Sequence, residues 1–361
     1  MNSALVILFV IIIGTGLCFD RELTLGKERK LNVTAYRVIM LSVFVFYATF
    51  RAYSVGIDTQ MYYIRYTRSA QYTFFQMLFH YKELRYGTSE IGYMCLECLV
   101  KQFGFDFRVM LFIVSALFIS SVLWFIYRFS ENHIISILLF VCLGYMSYSM
   151  CFMRQFVALS FCLYSIQYIQ KKKIKKFLIC VLVGALFHTS AVIFIPLYFV
   201  SSIELTKSIK RKGLIAITLS NLFGGVLFSI VVRFARIDYA RSALGGGMGM
   251  NLYLLVTALI ALYFSDRLIE QSKENQLLIW MAVISAIVFP IVMRAAAMHR
   301  TAYYYTIGSV ALIPNLIRSI SSKIYKLIFL TFYIWIAIYY LLNVVGGSNN
   351  GYLPFNFYWR V

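Results

Sequence analysis

Long apolar runs separated by short, mostly basic turns dominate the chain. They fall at about 3–19, 37–53, 107–127, 134–151, 155–170, 177–200, 213–234, 251–265, 276–293, 301–317 and 324–345. Most approach the ~20 residues that a helix needs to cross ~30 Å of hydrocarbon. Lys and Arg in short loops stay cytoplasmic. Arg21, Lys27, Arg29 and Lys30 after the first run therefore place the N-terminus outside. The second run then delivers Arg51 and Gly56-Ile57-Asp58 to the outer face, where an outer loop over 54–106 follows. Inside that loop, Glu90 to Lys101 carries charges at helical spacing around an apolar run too short to cross, which predicts an interfacial or re-entrant helix.

The run at 177–200 breaks this alternation. It lies between Lys171–Lys176 and Lys207–Lys212, and both basic flanks want the same side. Gly184-Ala-Leu-Phe-His188-Thr-Ser190 interrupts its middle. A re-entrant pair of half-helices with His188 at the turn satisfies both flanks, since irregular backbone at membrane depth is tolerated where it lines a cavity. One ordinary crossing with a polar turn, or two short crossings, are the alternatives. With the re-entrant choice the expectation is an all-α, polytopic membrane protein that forms a single integral domain over 1–361. It has about ten crossing helices, a re-entrant half-helix pair, and a large outer loop between the second and third crossings.

Composition agrees with that class. The chain of 361 residues is 61% hydrophobic, 18% aromatic and 13% charged, with mean hydropathy +0.78, which excludes an ordinary soluble protein. The segment from Ala4 to Phe19 lacks a basic leader and a small-x-small cleavage site, so it reads as a retained first span. Cys18, Cys95, Cys98, Cys142, Cys151, Cys162 and Cys180 lie mostly within apolar runs and read as reduced core thiols. A net charge of +20 adds little, because membrane proteins are often basic and no nucleic-acid module is recognisable. Nucleic acid is therefore not an expected partner. The four histidines are scattered and no Asp-x-Asp pair occurs, so neither a metal nor another cofactor is expected.

The kind of basic residue changes the picture more than their number. The expected topology puts thirteen Lys and seven Arg inside, but twelve Arg and only two Lys outside. Inner lysines are what topology needs; outer arginines are not. Arg grips phosphate oxygens through a planar fork of donors, whereas Lys is a hydrated point charge. The set therefore points to a diphosphate or polyanionic ligand at the outer face. For any single Arg, pairing with lipid head groups or outer acids explains it as well.

Four arginines stand out by position. Arg51 closes the second apolar run, where it either snorkels to head groups or lines a cavity with Asp58, which otherwise caps the next helix. Arg154, followed by Gln155, lies in a very short outer turn that leaves a charge little escape from the protein. Arg294 and Arg300 bracket His299 and precede Tyr303-Tyr304-Tyr305, a basic pair with an aromatic rim. Such tyrosines serve as sugar platforms or simply as an interfacial belt.

These residues also fall into an ordered series of short blocks. The first is Arg51-Ala-x-x-Val-Gly-x-Asp58-Thr-x-x-Tyr62, and the second Ser89-Glu90-x-Gly92-Tyr93. Arg154-Gln155-x-x-Ala158 comes next, then Phe177 with Phe187-His188-x-Ser190-Ala191, and last Arg300-x-x-Tyr303-Tyr304. The series resembles the signature of the EpsG family, which belongs with the Wzy-type polymerases of bacterial capsule, O-antigen and exopolysaccharide pathways. Residues 2–33 and 213–269 carry no usable match.

The resemblance implies a metal-independent membrane glycosyltransferase of the bacterial plasma (inner) membrane, multi-pass, with its active face outward. Its substrate would be an undecaprenyl-diphosphate-linked oligosaccharide, whose growing glycan passes to the non-reducing end of another lipid-linked unit. The lipid bilayer, a chain-length regulator and a flippase are the other candidate partners. Arg51, Arg154, Gln155, Arg294, Arg300, Tyr62, Tyr303 and Tyr304 are the expected substrate-binding residues. His188, Asp58 and Glu90 are the candidate catalytic groups, and which of them is the base stays open at this level. A neutral imidazole costs less to bury than a carboxylate, which puts His188 first. A flippase of the same lipid-linked oligosaccharide and a non-catalytic membrane scaffold are the rival readings. The absence of an internal repeat and the carboxylates of the outer loop favour chemistry over rocking.

Overall fold

The computed structural model describes residues 3–23, 29–80, 90–235, 247–295, 298–345 and 351–360. Of the residues singled out above, Lys27 and Ser89 lie outside the described residues. The regular elements are helical: α1 (Ser3–Leu23), α2 (Arg29–Thr49), α3 (Thr59–Arg68), α4 (Phe74–His80), α5 (Ile91–Gln102) and α6 (Phe107–Phe129). Next come α7 (His133–Cys142), α8 (Tyr145–Cys151), α9 (Met153–Gln170), α10 (Ile174–Phe187), α11 (Pro196–Val200) and α12 (Lys207–Ala235). The series ends with α13 (Met248–Tyr263), α14 (Ser265–Gln271), α15 (Asn275–Val292), α16 (Tyr303–Thr306), α17 (Ser309–Ser319) and α18 (Lys323–Tyr340). This is an all-α polytopic membrane architecture.

Local chemistry sets several boundaries. The Asp106 carboxylate accepts from the amides of Arg108 and Val109 at 3.0 and 3.3 Å, satisfying two orphan donors at the start of α6. Asn132 does the same for α7 through the amide of Ile135 at 3.0 Å. Gly56 takes φ +91 in the turn before α3, where a side chain would meet Thr59 Oγ1 and the Met150 carbonyl.

Part of the expected set of crossings meets a spanning criterion of helix length and composition alone. Among the described residues, four helices are long and apolar enough to span: Phe107–Phe129, Lys207–Arg233, Asn275–Val292 and Lys323–Asn343. The number rises to six if α7 with α8, bent by 48°, and α13 with α14, bent by 72°, each make one span. The other runs are interrupted or short. The apolar parts of α1 and α2 cover only Ala4–Cys18 and Thr34–Thr49. The run at 301–317 divides into a 3-10 turn, α16 and α17. A hydropathy window reads through such breaks, whereas a helix does not.

The segment over 177–200 doubles back on itself. His188 is extended between α10 and a 3-10 turn at Thr189–Phe194, which leads into α11. The Phe177 ring lies 5.2 Å from that of Tyr198 and 6.3 Å from that of Phe194. A continuous helix would separate residues 177 and 198 by roughly 30 Å at 1.5 Å per residue, so the two arms are antiparallel, with His188 at the tip. One arm, α10, packs along α9.

Around this hairpin the core is built from α6, α9, α15 and α17, with α2, α12 and α13 outside them. Buried polar groups are matched where they occur. Asn315 on α17 donates to Phe129 O at 2.8 Å and Asn275 Oδ1 at 2.7 Å, and accepts from the Glu131 amide at 2.8 Å. Residues 351–360 return to the end of α2 as a strap. The amides of Ala52, Gly56 and Tyr358 donate to Asn356 O, Gly351 O and Phe50 O at 2.8, 2.8 and 3.1 Å.

Candidate active site

Helix α5, with α3 packed on it, stands against the tip of the hairpin, and one close approach makes this contact possible. A Cβ on Gly92 would lie 2.9 Å from Leu186 Cβ and 3.0 Å from its carbonyl carbon and oxygen. Only glycine lets the first turn of α5 rest on the backbone of α10. Glu90, immediately before α5, is thereby pushed into the space between α9 and His188.

The carboxylate of Glu90 is buried and divided between two partners. Oε2 accepts from Arg154 Nη1, and Oε1 lies 3.1 Å from His188 Nδ1. Arg154 Nε donates to the Tyr62 hydroxyl at 3.3 Å. Ser190 Oγ sits 3.3 Å from His188 Nδ1 and 3.1 Å from the Tyr304 hydroxyl, tying the hairpin tip to α16. Gln155 Nε2 donates to the Arg300 carbonyl at 2.8 Å, tying α9 to the same region.

The tautomer of His188 follows from this arrangement. Nδ1 faces a carboxylate at 3.1 Å, while the Ser190 amide reaches the same nitrogen at 3.4 Å. A charge-assisted bond to a nearly water-free carboxylate outweighs a longer neutral one, so the proton sits on Nδ1. Nε2 is left with its lone pair on a side chain that is 31% exposed. An imidazole held in this way by a carboxylate is oriented to take a proton at Nε2.

The neighbouring arginines are held differently. The Arg300 guanidinium lies over the Phe152 ring at 3.6 Å, and its Nε is buried with no hydrogen-bond partner among the described residues. Arg154 is 28% exposed and lies above the Tyr62 ring at 5.8 Å. Behind Tyr62, Arg65 forms a two-pronged bond with the fully buried Glu97, at 3.1 Å for Nε–Oε2 and 3.0 Å for Nη2–Oε1. The guanidinium of Arg65 also covers the rings of Tyr62 and Tyr93 at 5.0 and 5.1 Å. Alternating guanidinium and phenol layers thus back the cluster.

With the geometry in place, the comparison with protein families is decisive, because the model of the EpsG family matches residues 34–357. The chain belongs to the EpsG family. This is a Wzy-like polysaccharide polymerase family. No curated protein and no solved structure gives a match. Every member of the cluster lies inside the part of this EpsG-family chain that the family model covers.

Of the expected site residues, the fold brings together Glu90, Arg154, Gln155, His188, Arg300, Tyr62 and Tyr304. Asp58 lies beside them at the start of α3, one turn from Tyr62, half-buried and without a side-chain cap bond. Three expectations need correction. Arg51 is 1% exposed, and its guanidinium donates to Ala48 O, Met150 O and Thr59 Oγ1, so it braces the rim from beneath instead of facing a ligand. Arg294 is exposed at the end of α15 beside Gly225, outside the cluster's hydrogen bonds. Tyr303, Tyr304 and Tyr305 are buried and form no rim. Tyr303 stacks on Tyr148 at 5.1 Å, and Tyr304 offers only its hydroxyl, through Ser190.

The layer behind the cluster has no counterpart among the sequence expectations. Glu97 has the right helical spacing from Glu90 to share a face, but its partner Arg65 lies 32 residues away in sequence. Cys95-x-x-Cys98 takes no part. The Cys98 Sγ donates to Tyr72 O at 3.0 Å, and burial pushes its thiol up to about 11, leaving it uncharged at neutral pH. Among the described residues no group of three or more His, Cys, Asp or Glu could hold a metal ion.

Proposed function

We propose that this EpsG-family protein polymerises undecaprenyl-diphosphate-linked oligosaccharide units at the outer leaflet, with the Glu90–His188 pair as the proton-accepting machinery. The observation that carries the reading is the sharing of one buried carboxylate by Arg154 and His188, beside the Arg300 guanidinium on Phe152. In this scheme His188 Nε2 takes the proton of an acceptor sugar hydroxyl. The oxygen forms a bond to the anomeric carbon of the donor glycan while the bond from that carbon to the lipid diphosphate breaks. Glu90 stabilises the imidazolium that results. Arg154 and Arg300 meet the charge left on the departing diphosphate, as preorganised cations do in other transfers. Tyr62 and Gln155 hold these groups in place, and Asp58 is suited to orient a sugar hydroxyl. Outward orientation is supported by charge: α9 runs from Arg154 to the Lys171–Lys176 cluster, so the candidate site and the basic turns lie at opposite ends of one helix.

The test uses membrane vesicles supplied with purified lipid-linked repeat units. A polymerase gives a ladder of lengthened glycans, a flippase changes only the leaflet, and a scaffold does neither. In the same assay His188→Ala is expected to slow elongation by ~10²–10⁴-fold at unchanged expression. A normal ladder from this variant removes His188 from the mechanism.

A further inference from the structure

A second polar site lies at the opposite end of the bundle, where α9 turns into α10. A cavity of about 690 Å³ opens there between Lys172, the end of α11 and the start of α15. Its size falls within the ~300–1,000 Å³ of small-molecule sites. Arg128, Lys172 and Lys273 line it against a single carboxylate, Glu274. Glu274 is bound to Arg128, whereas neither Lys172 nor Lys273 has a side-chain partner among the described residues. Tyr198, Ser201 and Ser202 form the facing wall, where the two serine hydroxyls donate to Tyr198 O and Phe199 O at 3.3 and 2.8 Å.

The backbone at Lys172 is itself unusual. The Lys173 amide donates to Tyr168 O at 2.8 Å and the Lys172 amide to Ile169 O at 3.0 Å, a pair of bonds that closes α9 as a Schellman motif. The residue at the left-handed position of that motif is usually glycine. Here it is Lys172, with φ 52, and no other non-glycine among the described residues has positive φ. A side chain kept where the backbone favours glycine, and aimed at a cavity with a surplus of cations, suits a bound anion.

We propose that this cavity binds a phosphate group, with Lys172 and Lys273 as its principal ligands. The source is either a soluble phosphate or the head group of an anionic phospholipid, since basic pockets between membrane helices favour both. The proposal rests on charge, shape and backbone at this end of the molecule and does not depend on the reaction assigned to the other.

The test measures the thermal midpoint of the purified full chain in two arms. One adds inorganic phosphate to protein in phosphatidylcholine nanodiscs, against chloride at equal ionic strength. The other replaces phosphatidylcholine with phosphatidylglycerol without added phosphate. A rise of about 2 °C or more is expected in at least one arm. A rise in the first arm identifies soluble phosphate as sufficient, and a rise confined to the second identifies the lipid. Lys172→Gly, which relaxes the turn while removing the charge, should fold at least as well as the parent and lose the response, as should Lys273→Ala. No rise in either arm, or an undiminished rise in both variants, overturns the proposal.

Discussion

Glu90 concentrates the chemistry of the candidate site in one side chain. Its two oxygens serve different masters, a guanidinium and an imidazole. Arg154→Lys keeps the positive charge but loses the fork that reaches Glu90 and the Tyr62 hydroxyl together. Elongation in vesicles is expected to fall by ~10²-fold with normal membrane insertion, and full-length ladders from the Lys variant would count against this role. Arg51 belongs to a different category. Because its guanidinium is spent on buried carbonyls, Arg51→Ala should cost about 2–4 kcal/mol of stability, read as an earlier thermal transition of the purified protein. A variant as stable as the parent but unable to elongate would return Arg51 to the ligand-binding set. In the sequence the two arginines look alike, since each closes an apolar run. Order along a chain gives the depth of a residue, not the direction of its side chain. That is also why Tyr303 reads as a rim residue and belongs to the core.

Between elements, the decisive feature is the approach of α5 to α10. Gly92→Ala would force a methyl group into the Leu186 backbone, at an expected cost of ~1–3 kcal/mol, and would move Glu90 away from His188. Elongation should fall with a modest loss of thermal stability. Unimpaired elongation would show that the α5–α10 spacing does not matter for the reaction. The antiparallel arms over 177–200 are legible in the amino-acid sequence, because two basic flanks on one side demand an even number of passes. The polar tip at His188 is visible for the same reason. The Arg65–Glu97 pair is not legible, because nothing local distinguishes a buried carboxylate from a solvated one on an amphipathic helix. The apolar runs do not map one to one onto helices, because hydropathy counts apolar residues and ignores where α7, α13 and α17 begin and end.

At the scale of the whole molecule, polarity runs along the bundle axis. The carboxylate–imidazole cluster occupies one end and the lysine turns the other. In a variant with its native cysteines replaced by serine, Met61→Cys should react with an impermeant thiol reagent applied from outside, and Lys173→Cys should not. Met61 is 69% exposed on α3, and Lys173 precedes α10. The reverse labelling pattern would invert the orientation and with it the outer-leaflet chemistry.

The strap formed by residues 351–360 carries a consequence for assembly. Its amide and carbonyl groups pair with residues 50–56, nearly the full sequence away. Loops of that length close late, after neighbouring helices have already found each other. The turn at Gly56, and with it the seat of α3, therefore gains its full hydrogen-bonded support only once residues 351–360 have returned to it.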